Sequence, residues 1–343
     1  MTTVFPTARI SLPARRTLRL RLGARPSSLS LAQSRLVARS LEREIPDLAI
    51  DIVPITTTGD QITDRPLHDC GGKGLFTKQL ELALLEGRVD FAVHSFKDVP
   101  VTMPLVDQSQ LMIAAVPVRA DARDVLVSAV ASSIAQLPKN ARVGTGSLRR
   151  KSQLLAVRPD LRIELIRGNI DTRLNKYTTR FDAIVLAAAG LKRAKLFDPS
   201  SMTPISANVV VPAAAQGALA LQCRADAPEV RDMLATLNDP DTALAVAVER
   251  QVIRLLNGDC HSPIAAHATV KENQLHLRVA VARRDGTPPI VKATIKTSRA
   301  KAYSAPALIV RSLEEQGATQ LLQSYPNVAA IPFDPACANE SQG

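Results

Sequence analysis

Apolar and polar positions follow a repeating strand and helix pattern over the first part of the chain. The run from Leu18 to Gly23 alternates with a period of two, which is typical of a half-buried strand. Ser27 and Ser28 can cap the helix that follows it, whose apolar positions keep helical spacing up to Pro46. Further elements are predicted in the order strand 49–55, helix near 75–86 and strand 91–93. This β-α-β-α-β order favours a mostly parallel sheet.

The same alternation starts again after a continuous apolar strand at 111–118. Strands are predicted at 125–127, 142–144, 162–166 and 183–186, separated by helical stretches such as 148–157, and strand-like pieces follow at 209–212 and 218–222. Two similar α/β units joined by extended segments form a cleft, which is a usual place for a ligand.

The pattern changes at Asp239, where a third unit begins. A long amphipathic helix starts at Pro240 and ends at Asn257-Gly258. Alternating runs at 265–270, 275–281 and 290–297 predict a small antiparallel sheet, and a last helix is predicted at 305–315. The predicted units are a disordered basic tail (1–16), a first lobe (17–117 with 213–237), a second lobe (118–212), a third domain (239–333) and a C-terminal tail (334–343).

Composition places the chain among soluble globular proteins. It has 343 residues, of which 46% are hydrophobic and 22% are charged. No apolar run approaches the roughly 18 residues needed to span a bilayer, so no membrane association is expected. Aromatic residues make up only 3% of the chain, which disfavours nucleic-acid binding by base stacking.

Net charge and cysteine content indicate which ligands and which cellular compartment suit the chain. The formal net charge is +11, which suits an anion such as nucleic acid, an acidic membrane surface or a polycarboxylate or phosphate ligand, and the charge alone leaves these open. The four cysteines form no CxxC pair and the five histidines show no metal-ligand spacing, so we expect reduced thiols and no metal. Because the N-terminus also lacks a secretory apolar segment, a cytoplasmic location is expected.

The strongest candidate for chemistry is the point where the strand at 91–93 ends. Lys97 and Asp98 follow it, and Pro100 limits any continuing helix. Ligands in open α/β sheets collect outside the carboxyl ends of strands. Taken alone, such a pair is more often a loop ion pair of little energetic weight.

Three arginine-rich junctions and one cysteine complete the set of candidates. Arg25-Pro26-Ser27-Ser28, Gly144 to Arg150 and Arg167 to Arg173 each join a predicted strand to a helix, where backbone N–H groups, hydroxyls and guanidinium groups can bind carboxylates or phosphates. Ordinary helix caps and solvated basic faces are the alternatives. Cys260 lies in a polar loop beside Asp259 and His261, which fits an accessible attachment point, although an unpaired cysteine is more often a buried apolar side chain.

With these motifs in order, the chain closely resembles the porphobilinogen deaminase family over about residues 18–329. The matching segments are AVHSFKDVP at 92–100, GGKGLFTKQLE at 71–81, GTGSLRR at 144–150, RGNIDTRL at 167–174, AAGLKR at 188–193, AQGALALQCR at 215–224 and NGDCHSPIA at 257–265. The resemblance implies three domains, the first two built like the lobes of a type II periplasmic binding protein with the active cleft between them. It also implies a monomeric transferase of tetrapyrrole (haem) biosynthesis that condenses four porphobilinogen units, releases ammonia and frees hydroxymethylbilane by hydrolysis.

The resemblance also assigns roles to individual residues. Asp98 corresponds to the catalytic aspartate, and Cys260 to the cysteine that holds a dipyrromethane cofactor through a thioether. The residues implied to bind carboxylates of the cofactor are Arg25, Ser27, Lys97, Thr145, Ser147, Arg149, Arg150, Arg167, Arg173 and Gln216; those implied to bind substrate or support the site are Lys73, Phe76, Gly168, Asn169 and Arg193.

The chemistry explains these residue types. Loss of ammonia leaves an electron-poor azafulvene, so one carboxylate can assist departure, stabilise the cationic pyrrole and help remove the α-proton after coupling. Each porphobilinogen carries two carboxylates, so the growing chain needs many fixed arginines. No metal is required, and porphobilinogen rather than nucleic acid is the expected partner.

Three positions depart from the family's usual pattern. Asp69 stands where Lys is common, Gly146 where Ser is common, and Ala215 where Gly usually precedes Gln-Gly. Loss of a cation and a hydroxyl is expected to weaken binding of the cofactor or late intermediates, but not to abolish activity. A non-catalytic two-lobed anion receptor and a nucleic-acid binder are the competing hypotheses.

Overall fold

The structure is a computed structural model that describes residues 18–57, 77–101, 106–107, 109–259 and 261–323. The strands are β1 (Leu18–Ala24), β2 (Leu48–Pro54), β3 (Phe91–Ser95), β4 (Leu111–Ala115), β5 (Asp124–Val127), β6 (Arg142–Gly144), β7 (Arg162–Glu164), β8 (Ala183–Ala187), β9 (Met202–Pro204), β10 (Leu219–Arg224), β11 (Ile264–Lys271), β12 (Gln274–Ala282) and β13 (Ile290–Ser298). The α-helices are α1 (Ser28–Glu44), α2 (Lys78–Leu85), α3 (Leu148–Val157), α4 (Ile170–Arg180), α5 (Ala188–Arg193), α6 (Pro228–Ala235), α7 (Pro240–Leu255), α8 (Ala305–Glu315) and α9 (Ala318–Gln323).

The first lobe is a five-stranded sheet in the order β2-β1-β3-β10-β4. Strands β2, β1 and β3 run parallel, whereas β10 pairs antiparallel with both β3 and β4. Apolar side chains fill both faces of the sheet: Leu22, Phe91 and Leu221 pack beneath α1 and α6, and Leu80 and Ala92 pack on the α2 side. Burial on both faces is what makes the β3 sequence a continuous apolar run.

The second lobe repeats the arrangement with the order β7-β6-β8-β5-β9. Strands β7, β6 and β8 are parallel, and β5 is antiparallel to β8 and β9. The repeat confirms the predicted pair of α/β lobes of the type II periplasmic-binding kind. The chain crosses from the first lobe to the second after β4 and returns before β10, so both connections lie side by side.

The third unit is the antiparallel sheet β11-β12-β13, as predicted. Alternate residues of its strands, among them Ala266, Leu277 and Val279, pack against α7 and α8. The residue boundaries proposed for the three domains stay predictions.

One expectation about the sheets is confirmed and one needs correction. Each lobe has a mostly parallel sheet with a single antiparallel strand, which is the strand that follows a crossing from the other lobe: β10 in the first lobe and β5 in the second. The apolar run at 209–212 forms no strand, although Val210 and Val211 are buried. The backbone of Val211 bonds to side chains instead: its N–H donates to Gln153 Oε1 at 2.8 Å, and its carbonyl accepts from Arg149 Nη1 at 2.7 Å.

A buried glutamate ties the third domain to both connections between the lobes. Glu249 of α7 forms a two-point ion pair with Arg119 at 2.6 and 3.1 Å, and Arg119 lies on the outgoing connection. The same carboxylate accepts the N–H of Ala215, on the returning connection, at 2.7 Å and that of Ala268, on β11, at 2.6 Å. Burial raises the pKa of Glu249, but Arg119 and His267 together outweigh burial and the net pKa lies below its usual value. Glu249 is therefore a charged junction between three units.

The described residues contain neither a membrane-spanning helix nor a cluster of metal-binding side chains. None of their helices is both long and apolar enough to cross a membrane. Among the same residues, no cluster of three or more His, Cys, Asp or Glu side chains could hold a metal ion. Several sequence predictions fall outside the described residues: the tails 1–16 and 334–343, Asp69, Lys73, Phe76 and Cys260.

Candidate active site

Asp98 is an exposed carboxylate at the end of a buried strand. The first four residues of β3 are buried, and the chain then makes a short 3-10 turn over Phe96–Asp98. Phe96 is itself buried, and its N–H donates to the Ala218 carbonyl of the returning connection at 3.1 Å. The apolar strand and the buried ring thus fix the turn, while the Asp98 side chain faces solvent.

A small cavity of about 70 Å³ brings Asp98 together with the start of α1. Its polar lining comes from Arg25, Ser27, Ser30, Gln33, Thr77, His94, Ser95 and Asp98. Ser27 caps α1 as predicted, because its hydroxyl accepts the Ser30 N–H at 3.4 Å. Gln33 Nε2 donates to Ser95 Oγ at 3.0 Å, which fixes the amide between helix and strand.

His94 is held neutral beneath this cavity. Burial lowers its pKa to about 4, with Arg25 adding to the effect and the hydrogen bond to Gln222 opposing it. Its Nε2 lies 2.9 Å from Gln222 Oε1, so the ring is fixed by a neutral partner. Since His94 is uncharged at neutral pH, the charged side chains that line the cavity among the described residues are Arg25 and Asp98.

Lys97 places the second lobe next to the Asp98 turn. Desolvation lowers the pKa of its ammonium; Asp98 opposes this effect, and Arg150 and Arg149 add to it. Arg149 and Arg150 of α3 are therefore within electrostatic range of Lys97, although they belong to the other lobe. The structure therefore brings together two motifs that are about fifty residues apart in sequence.

Arg149 and Arg150 are buried against a carboxylate that the sequence motifs did not include. Asp124, the first residue of β5, accepts from Arg149 Nη1 at 2.8 Å and from Arg150 Nη2 at 2.7 Å. Gln216 Nε2 also donates to Asp124 Oδ1, at 2.9 Å. Burial alone would raise the pKa of Asp124, but the two guanidinium groups hold it well below its usual range. Part of the hydrogen-bonding capacity of the arginine pair is thus already used within the protein.

The start of α4 supplies a second group of cations. Arg173 Nε donates to the Gly168 carbonyl at 2.7 Å, which folds the side chain back over the helix N-terminus. Burial lowers the pKa of Arg173 to about 10, with further lowering by Arg150 and Arg167 and an opposing effect of Asp98. Arg173 therefore lies among two other arginines and near the carboxylate of the first lobe. Arg167 Nε is buried and makes no hydrogen bond with the described residues.

The two helix N-termini face each other across the cleft. Ser28, the first residue of α1, donates its hydroxyl proton to Asp171 Oδ2 in the first turn of α4 at 3.0 Å. Both predicted anion-binding junctions, at 25–28 and 167–173, consequently open toward the same space. Helix N-termini carry positive partial charge, so the pair adds to the cationic character of the cleft.

The remaining predicted residues lie around this centre. Thr145 follows β6 and is buried. Ser147 is the residue before α3, and its N–H donates to Thr145 Oγ1 at 3.3 Å. Asn169 occupies the position before α4. Arg193 Nη2 donates to the Gly217 carbonyl on the returning connection at 2.7 Å, and burial lowers its pKa to about 10. Arg193 and Gln216 thus both contact the connections between the lobes.

Sequence reasoning missed Gln33, Ser95 and Asp124. Gln33 falls on the buried face of α1, and a polar residue on an apolar helix face is a detectable signal. Asp124 precedes an apolar strand, and two adjacent arginines elsewhere in the lobe already imply a buried counter-charge. Ser95 carries no comparable signal.

Comparison with known protein families covers most of the chain. The model described as "Porphobilinogen deaminase, dipyromethane cofactor binding domain" matches residues 20–232. The model described as "Porphobilinogen deaminase, C-terminal domain" matches residues 243–315. The two matches cover both lobes and most of the third unit.

Curated relatives agree with the family models. A porphobilinogen deaminase of Syntrophotalea carbinolica is 46% identical over 317 residues, covering 92% of this chain and 98% of the relative. That of Sorangium cellulosum is 48% identical over 269 residues, covering 78% and 88% of the two chains. Among solved structures, the substrate-binding protein of an amino acid ABC transporter has a TM-score of 0.31 and 15% identity, and the match covers 64% of this chain and 91% of that one. A full-length OxyR variant from Pseudomonas aeruginosa has a TM-score of 0.37 and 14% identity, and the match covers 64% of this chain and 68% of that one. At such TM-scores these likenesses support no conclusion about activity. From the family models and the curated relatives, this chain belongs to the porphobilinogen deaminase family.

Proposed function

We propose that the cleft between the lobes is the active site of a hydroxymethylbilane synthase with Asp98 as its reacting carboxylate. In this activity four porphobilinogen units are condensed head to tail with loss of ammonia, and the product is released by hydrolysis. One observation carries the assignment: Asp98 lines a cavity together with Arg25 and Ser27 at the start of α1, and Ser28 of the same helix start bonds to Asp171 at the start of α4 in the other lobe, so a single carboxylate lies where the cationic junctions of both lobes meet. That arrangement suits an aminomethylpyrrole that carries an ammonium group and two carboxylates.

The donor set fits a dipyrromethane cofactor. The group carries several carboxylates, and the cleft offers guanidinium, ammonium and hydroxyl donors, including a buried Arg167 Nε without a hydrogen-bond partner among the described residues. We propose that Cys260 attaches the cofactor through a thioether. The residues proposed to bind its carboxylates are Arg25, Ser27, Lys97, Thr145, Ser147, Arg149, Arg150, Arg167, Arg173 and Gln216. When bound, the cofactor supplies the pyrrole carbon to which the first substrate couples.

Asp98 acts on protons and on developing positive charge. The substrate's aminomethyl nitrogen must be protonated to depart as ammonia, and an adjacent carboxylate can orient that ammonium group. The same carboxylate stabilises the positive charge that spreads over the pyrrole as the C–N bond breaks. After coupling it can accept the α-proton. Its exposure and its place beside the cavity allow one side chain to act at each of these points.

The cations of the cleft act on the substrate carboxylates rather than on the reacting carbon. Burial and nearby arginines lower the pKa values of Arg173 and Lys97, both of which also interact with Asp98. The protonated forms of these two side chains are therefore less stable in the cleft than in water. Binding of carboxylates relieves this cost, because each anion neutralises a crowded cation. Guanidinium groups also fix carboxylates through paired hydrogen bonds, which orients the pyrrole ring. Lys73, Phe76, Gly168, Asn169 and Arg193 are proposed as supporting residues.

The partners follow from the same charges. Cations that converge on one carboxylate in a cleft between two lobes suit a small polycarboxylate, so we expect porphobilinogen as the ligand and neither nucleic acid nor membrane as a partner. We further expect a cytoplasmic monomer. The rival hypothesis of a non-catalytic anion receptor has no support from the family matches.

Turnover of Asp98 variants tests the proposal. Asp98→Ala should keep the wild-type unfolding temperature and lose nearly all porphobilinogen consumption, while Asp98→Glu should retain part of it, since the carboxylate is kept but displaced. The matched control is Asp90→Asn, because Asp90 lies just before the same strand and pairs with Arg21 at 2.8 Å, away from the cavity. Wild-type turnover in Asp98→Ala would overturn the assigned role.

A further inference from the structure

The third domain contacts the segment that directly follows Asp98 mainly through Arg250, with a further hydrogen bond from Arg254 Nη2 to the Val101 carbonyl at 3.3 Å. Arg250 projects from α7 and donates Nη1 to the Val99 carbonyl at 2.8 Å and Nη2 to the Pro100 carbonyl. A longer contact reaches the Val101 carbonyl at 3.4 Å. These three consecutive carbonyls belong to no strand or helix. Because backbone carbonyls away from regular structure need other donors, Arg250 fixes the path of the chain as it leaves the Asp98 turn.

The same guanidinium also contacts the residue at the start of the turn. The carbon at its centre lies 4.7 Å from the centroid of the Phe96 ring, the geometry of a cation–π contact. Phe96 and Val99 are buried on either side of Lys97 and Asp98. Arg250 therefore holds the turn on both sides, by the ring before the carboxylate and by the carbonyls after it.

Arg250 has no carboxylate partner among the described residues. Burial, with a smaller effect of Arg254, lowers its pKa to about 10, so it stays charged at neutral pH. A partly buried cation solvated by carbonyls depends on the geometry of those carbonyls. Such an arrangement favours one conformation of the turn over its alternatives.

Arg250 belongs to the helix that leads into Cys260. Helix α7 ends at Leu255, and the loop after it is fixed by Asp259, whose Oδ1 accepts the N–H groups of His261 and Ser262 at 2.9 Å each. Gly258 lies where an added Cβ would come within 2.6 Å of Ile264 Cδ1, so the loop packs closely on β11. One helix thus contacts the Asp98 turn from its middle, and in sequence Cys260 follows five positions after its last residue.

We propose that Arg250 is a positioning residue that sets Asp98 relative to the third domain, and so relative to the group attached at Cys260. This inference rests on the proposed function. Arg250 does not touch substrate in this scheme; it acts by holding the turn. A lysine could keep the charge but could not donate to successive carbonyls while stacking on Phe96, so the planar fork of arginine is the required feature.

Kinetic comparison of Arg250→Met and Arg250→Lys in the full-length protein tests the inference. A displacement of about 1 Å can cost about 100-fold in rate, so kcat of Arg250→Met should fall by about that factor, with KM for porphobilinogen changed less than about threefold. Arg250→Lys should recover part of the loss. Intact mass should show the same cofactor-sized increment on both variants as on the wild type. An unchanged kcat, or a rise in KM that accounts for the whole loss, would overturn the inference.

Arg299→Gln is the matched control, since Arg299 pairs with Asp241 at the start of α7 and lies outside the Asp98 turn. Because this ion pair is exposed, the substitution should change thermal stability little and leave kcat unchanged. If Arg299→Gln loses kcat as Arg250→Met does, the effect is one of general stability and the inference fails. If Arg250→Met does not fold, kcat and KM of Arg250→Lys are measured instead. A lower kcat with little change in KM supports the inference, and an unchanged kcat contradicts it.

A double-mutant cycle separates this inference from the proposed function. In an Asp98→Glu background the carboxylate is already displaced, so adding Arg250→Met should cost much less than in the wild type. Full additivity would contradict positioning of Asp98 by Arg250. Full turnover in Asp98→Ala would defeat the proposed function itself, whatever the Arg250 variants show.

Discussion

At the scale of single residues, Asp124 explains how two adjacent arginines can be buried beside the cleft. Its carboxylate receives hydrogen bonds from Arg149, Arg150 and Gln216, and its side chain is inaccessible to solvent. A buried ion pair is tolerated only when its hydrogen bonds are satisfied, and here the carbonyls of Val185 and Val211 complete the shell. The arginine pair is thus oriented before any ligand binds.

Removing the charge of Asp124 should destabilise the protein. Asp124→Asn keeps the shape of the side chain but leaves two buried guanidinium groups without a counter-charge, at a cost of about 3 kcal/mol or more in the free energy of unfolding. Urea unfolding measures this loss. Asp160→Asn is the control, because Asp160 pairs with Arg158 at the surface of the same lobe and should matter little. Equal effects of the two substitutions would contradict the buried role of Asp124.

His94 should make stability depend on pH in the acid range. Burial depresses its folded pKa from 6.5 to about 4, so between these values the unfolded chain binds a proton that the folded chain does not. Stability is therefore lost as pH falls from 6.5 toward 4, by about 3 kcal/mol at most, and is unaffected above this window. His94→Gln should flatten that part of the profile in urea unfolding at several pH values. Parallel profiles for the two proteins would contradict a neutral buried His94.

At the scale of elements, the site is made where strands end and helices begin. β1 leads to α1, β6 to α3 and β7 to α4, and each junction supplies cations and N–H groups to the same cleft. Hydrophobic periodicity predicted these elements and junctions, because strand and helix periods are local properties. The pairing of α1 with α4 through Ser28 and Asp171 could not be predicted, since the two residues lie 143 positions apart and on different lobes.

The run at 209–212 shows where local patterns fail. Val210 and Val211 are buried, as a strand would be, but side chains of α3 satisfy the backbone of Val211. Apolar composition predicts burial and leaves open the source of the backbone hydrogen bonds. Likewise, the sequence predicted that Arg149 and Arg150 belong to the site, but not that Asp124 already pairs with both.

The glycine before α4 should be more sensitive to substitution than the one before α3. Gly168 has φ of +110°, and an added Cβ would lie 2.7 Å from the Thr172 Cβ, so Gly168→Ala should cost at least about 1 kcal/mol and displace Arg173. In Gly146→Ser the added Cβ lies 3.2 Å from the Ile166 carbonyl oxygen and 3.6 Å from Leu165 Cδ1, and the hydroxyl common in the family is restored, so this substitution should be tolerated better. Thermal unfolding and turnover of both variants measure the contrast. A larger loss in Gly146→Ser would contradict it.

At the scale of the whole molecule, three units are held around the two connections between the lobes. Glu249 bonds to Arg119, Ala215 and Ala268, and Arg250, the next residue, bonds to the segment after Asp98. Adjacent residues of α7 thus contact the connections between the lobes and the segment that follows the Asp98 turn. Ala215 adopts φ of +59°, which glycine takes more readily, so the departure from the family pattern carries some backbone strain at this junction. The family motifs in sequence predicted the parts of the site, whereas the way in which α7 joins them required the structure.

The most direct test of this account is the intact mass of the purified protein compared with that of Cys260→Ala. The wild type should exceed the mass of its sequence by the size of a dipyrromethane, and Cys260→Ala should not, because the thioether needs the sulfur of Cys260. The proposed reaction at Asp98 requires this covalently attached cofactor. Absence of the increment from the wild-type protein, even after incubation with porphobilinogen, would contradict the account.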